Sequence, residues 1–232
     1  MNQFGSLKSA AEQITESLED KVFDFMREQT EPFMRLMTYY KCAILEIETK
    51  FRVLNEEYSL KHNRNPINSI KTRLKSPVSI KGKLRKLGVP LTVAGIEENL
   101  NDVAGVRVTC MTPEDVYVLA DALLKQDDVK LIRRKDYIAN PKENGYRSLH
   151  LIVETPIFLR DEKKMMRVEI QLRTIAMDCW AALEHQLRYK SDNGMSGEMS
   201  DELLKCAELS AELDHRMGEL RKMADKTEAL PR

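Results

Sequence analysis

Apolar residues change their spacing twice along this chain, and that change limits the folds open to it. They fall at Leu7, Ala11, Ile14, Leu18, Val22 and Phe25, then at Phe33, Leu36, Tyr40, Ile44, Ile47, Phe51, Leu54 and Tyr58. Steps of three and four put each set on one face of a helix. Leu203, Cys206, Ser210, Leu213, Met217 and Leu220 repeat the pattern near the other end. Between these ends the period drops to two. Val106, Val108 and Cys110 alternate with Arg107 and Thr109, and Leu149, Leu151 and Val153 alternate likewise. Val168, Ile170 and Leu172 alternate with Arg167, Glu169, Gln171 and Arg173, the pattern of a half-buried strand.

The order helix, strand, helix predicts an α+β fold: a central mixed β-sheet of three to five strands flanked by helices, with long N- and C-terminal helices. Further helices are expected over 115–125 and 175–190. Thr30-Glu31-Pro32 reads as a helix start, with Thr30 as N-cap and Pro32 in the first turn. The expected organisation is a helical region at 1–65, a core at 66–190 and a C-terminal helix at 191–232, all in one compact domain. Stripes this long suit helix packing, and they also suit contact between subunits.

Lys+Arg and Asp+Glu both count 37, so any attraction for phosphate must come from where the charge lies. It is segregated. From Tyr58 to Ile96 there is no Asp or Glu, while nine Lys and Arg fall in that stretch. A second basic group, Arg133-Arg134-Lys135, is followed by Lys142 and Arg147. Clustered cations raise the local concentration of phosphates and supply fork donors for oxyanions. Cys42, Cys110, Cys179 and Cys206 form no C-x-x-C pair, and read as reduced, buried thiols of a cytoplasmic protein. The N-terminus has no apolar signal-peptide core, and no run approaches the ~18 apolar residues of a membrane span.

Phosphoryl-group transfer needs cations for the donor, a divalent metal, and a group that orients and deprotonates the acceptor. Asp102 lies just before one expected strand and Glu169 on the polar face of another. If those strands are neighbours, the two carboxylates can share an ion. The segment from Arg133 to His150 contains the turn pairs Asn140-Pro141 and Asn144-Gly145, and reads as a loop between two strands. It offers Tyr146 for stacking a base, Asn144 for a purine edge and Lys142 for phosphate, with His150 at the start of the next strand.

The run R-R-K-D-Y-I-A-N-P-K-E-N-G-Y-R-S-L-H resembles a known family. It is preceded by N-D-V-A-G-V-R-V and followed by R-V-E-I-Q-L-R-T-I-A-M-D-C-W-A-A-L-E-H. These motifs are similar to the synthetase domain of RelA/SpoT-type alarmone synthetases, over about Pro66 to Lys190. The chain lacks the His-Asp dipeptide of the family's hydrolase motif, so it resembles the small alarmone synthetases, which have no hydrolase activity. The resemblance implies a nucleotidyltransferase-like sheet. It also implies transfer of the β,γ-pyrophosphate of ATP to the ribose 3′-hydroxyl of GTP or GDP, making the (p)ppGpp of the stringent response.

Carried onto this chain, the family's pattern makes Asp102 the acid that binds magnesium. Glu169 either completes the metal site or draws the proton from the 3′-hydroxyl. Arg73 and Arg107 would grip adenine, with Lys75, Lys83 and Arg133 on the phosphates of ATP. Tyr146 would stack on guanine near Asn144, while Lys135, Lys142 and His150 contact the acceptor nucleotide. Asp136 belongs to the same motif as Arg133 and Lys135. Small family members are commonly homotetramers, and product (p)ppGpp activates some of them allosterically. Two alternatives stay open: another acceptor on the same fold, such as an adenine nucleotide or the 3′ end of tRNA, and a non-catalytic RNA-binding protein.

Overall fold

Alternation places strands well in the centre of the chain. In the computed structural model, β2 spans Ala104–Cys110, the residues expected from the period of two. The structure describes residues 3–190 and 196–228, with side chains over 30–188 and 196–224. In chain order, helix α1 (Gln3–His62) leads into edge strand β1 (Ile67–Leu74), followed by α2 (Pro77–Leu87) and α3 (Val93–Asn99). After β2 come α4 (Pro113–Leu124), β3 (Lys130–Asp136), β4 (Leu149–Phe158), β5 (Lys163–Thr174), α5 (Ile175–Lys190) and α6 (Gly197–Glu228). The five strands form one sheet in the order β1-β2-β5-β4-β3. Only the central β2–β5 pair is parallel; the other three pairings are antiparallel.

One face of this sheet is the core. Val106, Val108, Ile170, Leu172, Leu149 and Leu151 are buried there beneath Leu36, Tyr40, Ile44, Ile47 and Phe51 of α1 and the apolar side of α4. Each such side chain taken out of water stabilises the fold by roughly 1.5–3 kcal/mol. That stripe explains a departure from the sequence reading. No helix starts at Thr30: α1 runs straight through Pro32. A proline inside a helix costs about 3 kcal/mol, which the continuous buried face following it outweighs. The earlier stripe, Leu7 to Phe25, has its side chains outside the described residues.

Polar side chains fix the ends of the elements. Ser76, Thr92 and Thr112 cap α2, α3 and α4 by accepting a backbone N–H three residues on. Gly88 ends α2 in the left-handed region at φ 68°. Arg64, just past α1, donates to Asp115 at 2.7 Å, and Thr112 donates to the other oxygen of that fully buried carboxylate.

Helix α6 has the expected period but a different phase. Of the expected stripe only Leu203 is buried; Ala207 and Asp214 complete the covered side, while Leu213, Met217 and Leu220 are exposed. The phase is set by what α6 packs against. Trp180 of α5 donates its indole N–H to the Leu203 carbonyl, and Thr174 donates to Asp214. Of the cysteines, only Cys110 is buried; Cys179 and Cys206 are exposed, against the expectation of buried thiols, and all four are free. No helix among the described residues is long and apolar enough to cross a membrane.

Candidate active site

The face of the sheet opposite the core carries two rows of side chains that run across all five strands. One row reads Arg73, Gly105, Glu169, Ile152, Arg133, and the next reads Lys71, Arg107, Gln171, His150, Lys135. Residues paired across strands share a face, at a spacing of roughly 4.8 Å per strand. Strand pairing therefore gathers residues far apart in sequence. Six of the residues singled out from sequence fall into these two rows.

Two clefts lie on this face. The first, about 230 Å³, is lined by Lys71, Arg73, Lys75 and Arg107 together with Asp102 and Glu169. The second, about 370 Å³, is lined by Lys83, Arg133, Lys135, Lys142 and His150, again with Asp102 and Glu169. The two acids form the wall common to both. A larger cavity of about 830 Å³ lies between α1 and the β4–β5 hairpin, away from both acids; in its wall Tyr39 pairs with Glu162, and Lys164 with Glu97.

Asp102 sits in the turn before β2. Lys75, following β1, and Lys83, on α2, both reach its Oδ2 at 2.7 Å. Burial pushes the Asp102 pKa up, but hydrogen bonds from the two lysines outweigh it and hold the carboxyl below its ordinary value. Its Oδ1 is buried with no hydrogen-bond partner among the described residues. Glu169 behaves similarly. Burial and the Asp102 charge raise its pKa, the His150 hydrogen bond and charge and a Gln171 hydrogen bond lower it, and the net displacement is downward.

Arg107 is held by Asp178 of α5 at 3.4 Å, a carboxylate that also meets Lys71 and Arg173. Burial and the neighbouring Arg173 depress the Arg107 pKa, and Asp178 opposes them. Arg73 is exposed on the edge strand.

The loop between β3 and β4 is shorter than the sequence suggested, because Arg133, Arg134, Lys135 and Asp136 belong to β3. Asp136 accepts from the backbone of Ile138 and Ala139 and so shapes the turn. Asn144 is also used locally: its oxygen accepts from the Tyr146 N–H, and its amide reaches Glu184 at 3.4 Å. Gly145 turns the chain at φ 85°. Lys142 Nζ lies 4.7 Å from the Tyr137 ring centroid and 4.8 Å from that of the half-buried Tyr146. Arg133, expected beside ATP with Arg73 and Arg107, lines the second cleft instead. Sequence reading gave no role in the site to Lys71, Tyr137, Gln171, Arg173 or Asp178. Gln171 and Arg173 share the Glu169 face of β5, so the period of two marked them. Nothing local marked Asp178, whose role depends on α5 docking.

Two cationic clefts sharing a pair of carboxylates are the layout of a phosphoryl-group transferase. Residues 72–194 match the family described as the region found in RelA/SpoT proteins, and the chain belongs to that family. GTP pyrophosphokinase YwaC of Bacillus subtilis (strain 168) is 40% identical over 202 residues, 87% of this chain and 96% of that protein. GTP pyrophosphokinase YjbM of the same strain is 32% identical over 195 residues, 84% of this chain and 91% of that protein. The crystal structure of small alarmone synthetase 1 from Bacillus subtilis bound to its product pppGpp matches with a TM-score of 0.74 at 33% identity, covering 82% of this chain and 97% of that one.

Proposed function

We propose that this chain transfers the β,γ-pyrophosphate of ATP to the ribose 3′-hydroxyl of GTP or GDP, making pppGpp or ppGpp and releasing AMP. The sharing of Asp102 and Glu169 by both clefts carries this reading. The activity named for YwaC and YjbM, and the pppGpp bound to small alarmone synthetase 1, support it.

ATP takes the first cleft, with adenine between the guanidinium planes of Arg73 and Arg107, which suit stacking. Lys75 faces its phosphates in that cleft, and Lys83 and Arg133, which line the second cleft, meet them where they cross the wall formed by Asp102 and Glu169. The acceptor takes the second cleft, with guanine on Tyr146 and its phosphates on Lys135, Lys142 and His150. Asn144 holds the loop that presents them. The 3′-oxygen attacks the β-phosphorus, the bond from that phosphorus to the α,β-bridging oxygen breaks, and AMP leaves with the electron pair. The 3′-proton passes to Glu169, which its lowered pKa keeps ionised at neutral pH. Holding the two nucleotides in line contributes several of the roughly 7–11 kcal/mol that such positioning can supply.

The donor set fits magnesium. Asp102 Oδ1 has no hydrogen-bond partner among the described residues, and this ion takes one or two carboxylates with water and phosphate completing its shell. Asp102 would hold it through that oxygen, with Glu169 beside it as the base; among the described residues no group of three or more His, Cys, Asp or Glu is placed for a metal. When bound, it neutralises charge on the transferred phosphates.

The exposed apolar side chains of α5 and α6, Leu183, Leu213 and Met217 among them, fit contact between copies in a homotetramer. Four free cysteines fit the reducing cytoplasm. The deciding experiment supplies labelled ATP and magnesium with GTP, GDP, ATP or tRNA in separate reactions. Guanine nucleotide bearing a 3′-pyrophosphate, with one AMP per turnover, is the expected result. Product on ATP or tRNA alone would reassign the acceptor, and salt-sensitive RNA binding without product would remove the enzymatic reading. Light scattering at micromolar concentration is expected to give four times the chain mass, and rate curves with added pppGpp test for an allosteric site.

A further inference from the structure

Arg173 is a buried cation, only 5% exposed, at the end of β5. Its Nη2 donates both to Tyr146 Oη at 2.8 Å and to Gln171 Oε1 at 2.7 Å, while Nη1 donates to Asp178 at 3.2 Å. Gln171 Nε2 donates to Glu169 Oε2 at 3.3 Å. On the other side, Tyr146 Oη lies 2.9 Å from His150 Nε2, and His150 Nδ1 lies 3.5 Å from Glu169 Oε1. Five side chains thus close a ring that begins at one guanidinium and ends on both oxygens of one carboxylate.

The direction of every bond in this ring follows from what each group can do. A guanidinium only donates and a carboxylate only accepts. Gln171 must therefore turn its oxygen to Arg173 and its amide to Glu169. Tyr146 accepts from Arg173, and with His150 as the neutral imidazole, whose Nδ1 faces the accepting Glu169, the Tyr146 hydroxyl proton is donated to Nε2. His150 must then carry its proton on Nδ1, aimed at Glu169. Both arms are polarised from Arg173 towards Glu169.

We propose that Arg173 is a positioning residue for this site: through Gln171 on one arm, and through Tyr146 and His150 on the other, it orients both oxygens of Glu169 and locks that carboxylate to the ring on which the acceptor base lies. This rests on the roles given above to Glu169 and Tyr146. Acceptor docking and the placement of the base then share one framework. Correct seating of the base against Tyr146 is felt at the proton-accepting oxygen without any contact between Arg173 and substrate.

The test is Tyr146→Phe, which keeps the stacking ring and cuts one arm, beside Arg173→Lys, which keeps the charge and loses the fork. Steady-state kinetics are read together with NMR of the ¹⁵N-histidine-labelled protein. Tyr146→Phe is expected to lower kcat about tenfold, with both KM values within about twofold of the parent. The parent is expected to show His150 protonated on Nδ1, and both variants to lose that signature. Arg173→Lys is expected to lower kcat at least as far, with circular dichroism and melting confirming that it folds. An unchanged kcat in Tyr146→Phe, a loss confined to KM, or a parent His150 protonated on Nε2 would each overturn the proposal. Glu169→Gln runs in parallel: full activity there would defeat Glu169 as base, and with it the mechanism above, whatever the other variants show.

Discussion

Arg73 and Glu169 sit two strands apart in one row of the sheet, with only Gly105 between them. The gap of roughly 10 Å has no side chain in it, and it forms part of the floor of the first cleft. A Cβ at Gly105 would meet nothing closer than the Arg73 carbonyl at 3.5 Å, an ordinary contact. Gly105→Val is therefore expected to fold normally, because the strand tolerates it, and to fill the cleft. The expected outcome is a melting temperature within a few degrees of the parent and kcat/KM for ATP at least tenfold lower. A variant that binds ATP as well as the parent would show that adenine lies elsewhere.

The loop carrying Gly145 and Tyr146 packs on α6. A Cβ on Gly145 would lie 2.4 Å from the Ala207 Cβ, at a φ of 85°. Gly145→Ala should destabilise the fold through this overlap and through the left-handed backbone, which costs about 1–2 kcal/mol for a residue with a side chain. The KM for the guanine nucleotide is expected to rise while that for ATP stays level. Adding Ala207→Gly relieves the overlap but not the backbone cost, so it should recover only part of the loss.

Asp214 of α6 gives a dependence on pH. Burial raises its pKa, and hydrogen bonding from Thr174 and the charge of Arg147 only partly offset this. Its folded pKa lies above its unfolded one. Ionisation therefore costs stability as pH rises from about 3.9, the ordinary Asp value, through the folded pKa, and below that range the cost vanishes. Asp214→Asn cannot ionise. Its melting temperature relative to the parent is expected to be higher at pH 7 than at pH 4, each tenfold displacement of the ionisation constant being worth about 1.4 kcal/mol. A constant offset across that range would mean that burial does not govern this carboxyl.

The Arg64–Asp115 pair joins the end of α1 to α4, and Asp115 is fully buried. Arg64→Met leaves that carboxylate with Thr112 as its remaining hydrogen-bonding side chain. An uncompensated buried charge of this kind costs about 3–5 kcal/mol, which denaturant unfolding would measure. Asp115→Asn added to Arg64→Met should restore more than half of the loss. Failure to do so would assign the loss to packing of the arginine stem.

Local chemistry determined much of this protein in advance. The period of two located β2 and much of β5, and the period of 3.6 located the buried face of α1 at Leu36, Tyr40, Ile44, Ile47 and Phe51, because each segment's apolar face depends only on its own residues. The same alternation put Arg107, Glu169, Gln171 and Arg173 on polar faces. Strand β1 escaped it, since an exposed edge strand such as Lys71-Thr72-Arg73-Leu74 has little apolar face to show. Other features belonged to tertiary structure alone. Asp102 and Glu169 share a wall only because β2 and β5 pair in parallel, a choice made by the packing of the whole sheet on α1 and α4. The phase of α6 and the burial of Arg173 likewise follow from surfaces contributed by distant segments. Neighbours brought together by folding decide which polar side chain meets water and which meets another, and no window of sequence contains them.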